Sequence, residues 1–184
     1  MAQHVCPVWI GYFLASPIRR LFENPEKILG PYVKEGMKVL DVGSAMGFFS
    51  LPLAELVGLT GMVICVDLQE KMLKSLEKRA LKKGLRDRLK TRVCGQNNLG
   101  LDDLANSIDF ALASAVVHEV PDAAAFFADI YAALKPGANF LVAEPKGHVT
   151  SKEFEKTVSI AEQAGFIAEN IHVQGRSRIV LLNK

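Results

Sequence analysis

From residue 38 onward, two hydrophobic rhythms alternate along this chain. Short apolar runs at Lys38 to Val42, Met62 to Val66, Leu89 to Cys94, Ile108 to Ala113 and Asn139 to Ala143 predict strands. Between them, apolar residues recur three and four apart. The clearest such stretch is Gln69 to Lys83, where Met72, Leu73, Leu76 and Ala80 share one face and Glu70, Lys74, Glu77 and Lys78 the other. Helices are also predicted over Gly47 to Val57 and Asp122 to Leu134. Asp122 serves as N-cap of the latter, directly after Pro121, and Lys135, Pro136 and Gly137 are its stop signal. Thr150 and Glu153 form a capping box for a further helix that reaches Ala164 and breaks at Gly165.

Two final strands, Phe166 to Val173 and Arg178 to Leu182, are joined around Gly175 with no helix between them. They can only form an antiparallel hairpin. The alternation before them predicts an α/β domain with a mainly parallel sheet. Ile108 to Ala113 is continuously apolar, as a strand covered on both faces should be. Residues 1–37 stand outside the alternation and are expected to form a helical cover or lid on a single domain of residues 38–184, with packing on the sheet edge as ordinary core the alternative.

Composition narrows the picture modestly. The chain has 184 residues, 49% hydrophobic and 23% charged, which suits one globular domain with a core of its own. A net charge of +2 neither demands nor excludes nucleic acid. The three cysteines, Cys6, Cys65 and Cys94, show no CxxC spacing, and Cys65 lies inside a predicted strand. A reduced, cytoplasmic setting is expected. The four histidines are scattered away from any cysteine pair, so no metal site is expected. The apolar run Val5 to Ala15 is too short to span a bilayer, and Arg19 and Arg20 follow it where a signal peptide would need them in front.

The candidate chemistry starts at "VLDVGSAMGFFS", Val39 to Ser50, a strand that ends in a loop and opens a helix. Such a loop offers a ligand close backbone approach and a helix N-terminus. Read alone, Gly43 and Gly47 are equally explained by a tight turn with no ligand. Asp41 precedes the glycines, and an acid there would repel a pyrophosphate but suit a ligand bringing positive charge. Asp67, at the end of the next strand, can accept both hydroxyls of a ribose. Together the two aspartates ask for a nucleoside with a cationic tail. Ala45 stands where a second glycine is common. With a positive φ its Cβ would cost about 1 kcal/mol or somewhat more; with a negative φ the methyl group would simply lie beside the ligand.

The chain resembles the class I S-adenosylmethionine-dependent methyltransferases, in a small-molecule branch related to those of ubiquinone/menaquinone biosynthesis. The resemblance rests on "VLDVGSAMGFFS", "VICVDLQEKML", "SIDFALASAVVHEVPD" and "ALKPGANFLVAEP", in the family's order and spacing. It implies a Rossmann-like, doubly wound, seven-stranded sheet that is mainly parallel and closes with an antiparallel hairpin. It implies S-adenosylmethionine as cofactor and S-adenosylhomocysteine as product. Carried onto this chain, Asp41 lies near the methionine amino group, and Gly43, Ser44, Ala45 and Gly47 pass under the methionine and ribose. Asp67 grips the ribose hydroxyls, and Leu68 packs on the adenine. Gly95, Gln96 and Asn97 lie at the adenine edge, where Gln96 or Asn97 would replace the family's usual aspartate. Ser114 contacts the methionine carboxylate side.

The methyl acceptor is expected to be a small, partly apolar molecule. His118 is the candidate general base, with a loop-capping or cofactor-binding role as the alternative. Trp9, Tyr12, Phe13 and Glu144 are substrate-side candidates. For Glu144 the alternative is local structure, since Pro145 follows and fixes the turn. Lys146 and His148 fit a solvated surface. No Asn-Pro-Pro-aromatic motif follows the fourth strand, which argues against methylation of adenine or glutamine nitrogens. Three other readings stay open: RNA methylation, because Lys71 to Arg92 is rich in bases; an NAD-dependent reductase; and a non-catalytic nucleoside-cofactor-binding protein. No nucleic-acid partner is required and no transmembrane segment is expected; the sequence leaves the oligomeric state open.

Overall fold

The computed structural model describes residues 23–184. Cys6, Trp9, Tyr12, Phe13 and the rest of the apolar N-terminal run lie outside the described residues. The chain divides into two compact units, one ending at Cys94 and the other beginning at Gly95.

In the first unit, α1 (Pro25–Leu29) starts where Asn24 Oδ1 accepts the Lys27 N–H at 3.0 Å, with proline at the first helical position. Then follow β1 (Lys38–Val42), α2 (Ser50–Leu56), β2 (Met62–Asp67), α3 (Glu70–Lys82) and β3 (Leu89–Val93). The strands are parallel in the order β3-β2-β1, with Asp41 opposite Cys65 and Asp67 opposite Val93. Helix α3 buries Met72, Leu73, Leu76 and Ala80, the face its periodicity marks. Its outer face carries an i,i+4 pair between Glu70 and Lys74 at 2.9 Å. Helix α2 begins at Ser50, three residues later than expected. Gly47 has φ +84°, outside the helical region, and its N–H closes a turn on the Ser44 carbonyl at 2.9 Å.

The second unit holds β4 (Ile108–Ser114), α4 (Ala123–Ala133), β5 (Leu134–Pro145), α5 (Ser151–Gln163), β6 (Ile167–Gln174) and β7 (Ser177–Asn183). Its strand order is β4-β5-β7-β6; β4 and β5 are parallel, and β7 runs antiparallel to both its neighbours. Asp122 Oδ1 caps α4 through the Ala125 N–H at 3.0 Å, and Thr150 and Glu153 form the expected reciprocal box on α5. Strand β5 is longer than its apolar run. The Lys135-Pro136-Gly137 signal ends the helix, yet the chain passes directly into the strand, and these residues form its irregular start. The pairing jumps from Ile108–Leu134 to Phe110–Asn139, and Gly137 has φ +75°. A proline, lacking an N–H for the ladder, is tolerated at such a bulge. The core of this unit is aromatic: Phe127 lies 6.0 Å from Phe140 and 6.2 Å from Phe166, and Tyr131 meets Phe166 edge-on at 5.1 Å.

The seven strands thus make a mixed sheet, mainly parallel and closed by a C-terminal antiparallel hairpin, which is the expected α/β class. No helix among the described residues is long and apolar enough to cross a membrane.

Candidate functional site

The loop after β1 is held in an unusual backbone path. Gly43, Ala45 and Gly47 have φ of +72°, +44° and +84°. The sequence left the sign of φ at Ala45 open, and it is positive. Neighbouring groups hold this path. The Gly43 and Ser44 N–H groups bond the Val66 carbonyl at 2.8 and 3.1 Å. The Ala45 N–H donates to Asp67 Oδ2 at 2.8 Å, and the Gln69 N–H donates to Asp67 Oδ1, also at 2.8 Å. Asp67 therefore braces the loop as well as ending β2. Arg79 of α3 donates to the Met46 carbonyl, and Met46 itself is buried. Sequence reasoning did not single out Arg79. A basic residue on the half-buried flank of an amphipathic helix was the available signal.

Asp41 is buried and accepts the Ser50 hydroxyl at 2.6 Å. Burial pushes its carboxyl up from 3.8 to about 7; the Ser50 bond opposes this, and the nearby Asp67 charge adds to it. Burial likewise raises Asp67, against the pull of the two backbone N–H groups. Ser44 Oγ has no hydrogen-bond partner, and it is the one buried side-chain N or O atom without one among the described residues. Leu68 is 40% exposed beside Asp67. Cys65 and Cys94 are free thiols, and burial raises both, Cys94 to about 11. Neither is an ionised nucleophile at neutral pH.

In the second unit the functional side chains follow β4 and β5. Ser114 ends β4 half-buried. Ala115 has φ +57°, and its N–H bonds the Ala143 carbonyl at 2.8 Å. The Val116 and Val117 N–H groups donate to Glu144 Oε1 at 3.2 and 2.8 Å. Glu144 Oε2 pairs with His118 Nδ1, in a turn spanning Val117–Glu119. Glu144 is only 1% exposed and has protein partners on both oxygens, whereas a quarter of the His118 side chain reaches solvent. Glu119 Oε1 lies 4.0 Å from His118 Nε2, and the His148 ring 6.0 Å from the His118 ring. The Glu144 bond raises the His118 pKa above 6.5, partly offset by burial. Gly95, Gln96 and Asn97 form an exposed loop after β3, with the Gly95 N–H bonded to the Asn98 carbonyl at 3.0 Å.

The first unit thus gathers Asp41, Gly43, Ser44, Ala45, Gly47, Asp67 and Leu68, and the second gathers His118 and Glu144. A family model described as a methyltransferase domain matches residues 33–176. The chain belongs to that methyltransferase-domain family. It is similar to the ubiquinone/menaquinone biosynthesis C-methyltransferase UbiE of Brucella canis, 31% identical over 116 residues, covering 63% of this chain and 42% of that protein. The enzyme of the same name from Cellvibrio japonicus is 29% identical over 126 residues, covering 67% of this chain and 50% of its own. This methyltransferase-domain chain therefore matches about half the length of those relatives or less. Among solved structures, a SAM dependent methyltransferase from Aquifex aeolicus superposes with a TM-score of 0.85 at 26% identity, covering 97% of this chain and 98% of the other.

Proposed function

We propose that this chain is an S-adenosylmethionine-dependent methyltransferase whose acceptor is a small, partly apolar molecule. The observation that carries the reading is Ser44 Oγ. A buried hydroxyl without a partner costs roughly 1–3 kcal/mol, and this one sits in the loop between Gly43 and Ala45, both left-handed. A ligand with a polar group that hydrogen-bonds this hydroxyl relieves that cost.

The other residues of this reading suit the cofactor by their chemistry. Each Asp67 oxygen accepts one backbone N–H and keeps capacity for a second donor, which the two ribose hydroxyls supply. Leu68 offers an apolar face to the adenine, with Gly95, Gln96 and Asn97 at its edge. Asp41 answers the methionine ammonium, and Ser114 the carboxylate. When bound, the cofactor supplies an electrophilic methyl carbon on a sulfonium. The chain's task is then mainly to orient the acceptor in line with it. His118 is the candidate group for proton removal.

The competing readings fit less well. Three of the bases in α3 and the turn after it pair with acids. Glu70 pairs with Lys74, Glu77 with Arg86 at 3.1 Å and Glu55 with Lys83 at 3.0 Å. They form a solvated face rather than a phosphate track. A buried acid at Asp41 disfavours a dinucleotide pyrophosphate. A reducing, cytoplasmic compartment suits the free Cys65 and Cys94.

The test is calorimetry with S-adenosylmethionine and S-adenosylhomocysteine on the wild-type protein and on Ser44→Ala. Both ligands should bind the wild type. The variant should be no less stable when empty, yet should lose about 0.5–1.5 kcal/mol of cofactor affinity. Absence of binding by the wild type refutes the proposal.

A further inference from the structure

We infer that Glu144 is a positioning residue that holds His118 in one tautomer, with the proton on Nδ1, so that Nε2 is the general base and the acceptor is a hydroxyl or carbon acid that must lose a proton. This rests on the methyltransferase reading above and names the substrate class for it.

The argument is one of donors and acceptors. A carboxylate only accepts hydrogen bonds. Glu144 Oε1 already takes the Val116 and Val117 N–H groups, and these fix its orientation. Its Oε2 faces His118 Nδ1, so the pair bonds only if Nδ1 carries the hydrogen. A neutral imidazole has one N–H, which leaves Nε2 with a free lone pair. Among the described residues, the titratable groups around this ring are Glu144 on β5, Glu119 in its own turn and His148 after β5. Glu119 and Glu144 both stabilise an imidazolium once Nε2 has taken a proton. The buried carboxylate does not itself need to gain one.

An orienting carboxylate and a partly exposed Nε2 add least for an acceptor that already has an ionised fraction at neutral pH, such as a thiol, and most for one that stays protonated. They suit a phenol, a quinol or an activated C–H. The proton passes from the acceptor to Nε2. The electron pair it leaves would form the bond to the methyl carbon that the bound cofactor would supply, and the C–S pair would return to sulfur as a neutral thioether. Solvent then removes the proton from Nε2.

Glu144→Gln separates this from a merely structural role. The Gln oxygen keeps both backbone bonds, but its amide presents N–H to Nδ1 and forces the proton onto Nε2. Long-range proton–nitrogen correlation NMR on histidine-labelled protein reads the tautomer without any acceptor. Neutral wild-type His118 should carry its proton on Nδ1, and Glu144→Gln should move it to Nε2 and lower the pKa. If that variant does not fold, the wild-type tautomer alone decides. Wild-type His118 protonated on Nε2, or an unchanged tautomer in a folded Glu144→Gln, overturns the inference. Labelled-methyl transfer to a panel of phenols, quinols and thiols tests the acceptor class. Glu144→Gln should cut turnover of hydroxyl acceptors about 100-fold or more, with cofactor affinity by calorimetry unchanged. Incorporation into thiols that matches or exceeds the hydroxyl acceptors, or none into any phenol or quinol, overturns the acceptor assignment. Failure of the wild type to bind the cofactor at all would instead sink the methyltransferase reading beneath it.

Discussion

Gly47→Ala is the sharpest test of the loop geometry. At φ +84°, an alanine pays about 1–2 kcal/mol for left-handed backbone, offset by about 0.4–1 kcal/mol of lost freedom in the unfolded chain. The larger cost is steric. A Cβ at residue 47 falls 2.2 Å from Leu76 Cδ1 and 3.4 Å from Leu51 Cγ. Carbon atoms settle at about 3.5–4.0 Å, so the fully buried Leu76 side chain must shift to make room. Overpacking of this kind costs about 1–3 kcal/mol. The total is about 1–4 kcal/mol of destabilisation, and at 2–4 °C per kcal/mol for a chain of this size a mid-range value lowers Tm by roughly 5–10 °C. Thermal and urea denaturation followed by circular dichroism measure it. A second variant separates the two causes. In a Leu76→Ala background the clash disappears and only the left-handed penalty remains. The two substitutions should therefore couple by about 1–3 kcal/mol, well outside the additivity expected of independent sites. A Tm loss below about 2 °C, on the same scale, or strict additivity with Leu76→Ala, would refute the argument that this glycine is required by the α3 packing.

Two further predictions concern the same loop. Ala45→Gly removes a left-handed Cβ penalty of about 1–2 kcal/mol and adds about 0.4–1 kcal/mol of unfolded-state entropy; the variant should melt slightly higher than the wild type, and a lower Tm would contradict the positive φ at this residue. Asp41 gives a pH signature. Its carboxyl moves from 3.8 to about 7 on folding, so the protonated form is favoured below that pH. Its stability contribution is complete below 3.8 and is lost as pH rises through about 7. A ligand carrying an ammonium selects the ionised form, so S-adenosylhomocysteine should bind about tenfold more tightly at pH 8 than at pH 6. Adenosine, which lacks the ammonium, should bind with no such slope, and Asp41→Asn should abolish the slope for S-adenosylhomocysteine; an equal slope for adenosine would refute the pairing.

The alternation of strands and helices was legible because each element carries its own signal: α3 has its stripe of Met72, Leu73, Leu76 and Ala80, and α5 its capping box. The positions of the aspartates were legible because an acid before Gly43 and another at the end of β2 are visible in linear order. What stayed hidden joins residues far apart in the chain. The sign of φ at Ala45 depends on an N–H bond to Asp67, 22 positions on. Glu144 posed a question the sequence did state: a charged residue closing the apolar run Phe140 to Ala143 must find partners if it is buried. Pro145 suggested a local turn as the answer. The partners lie instead 26 to 28 positions earlier. They follow from register: β4 and β5 run parallel with Ser114 opposite Ala143, so the residue after Ala143 lies beside the loop that leaves Ser114. Ala115 turns that loop at φ +57°, and the next two N–H groups and His118 converge on one carboxylate. A His–Glu pair assembled through strand pairing has no sequence spacing of its own, so reading it requires the sheet order first.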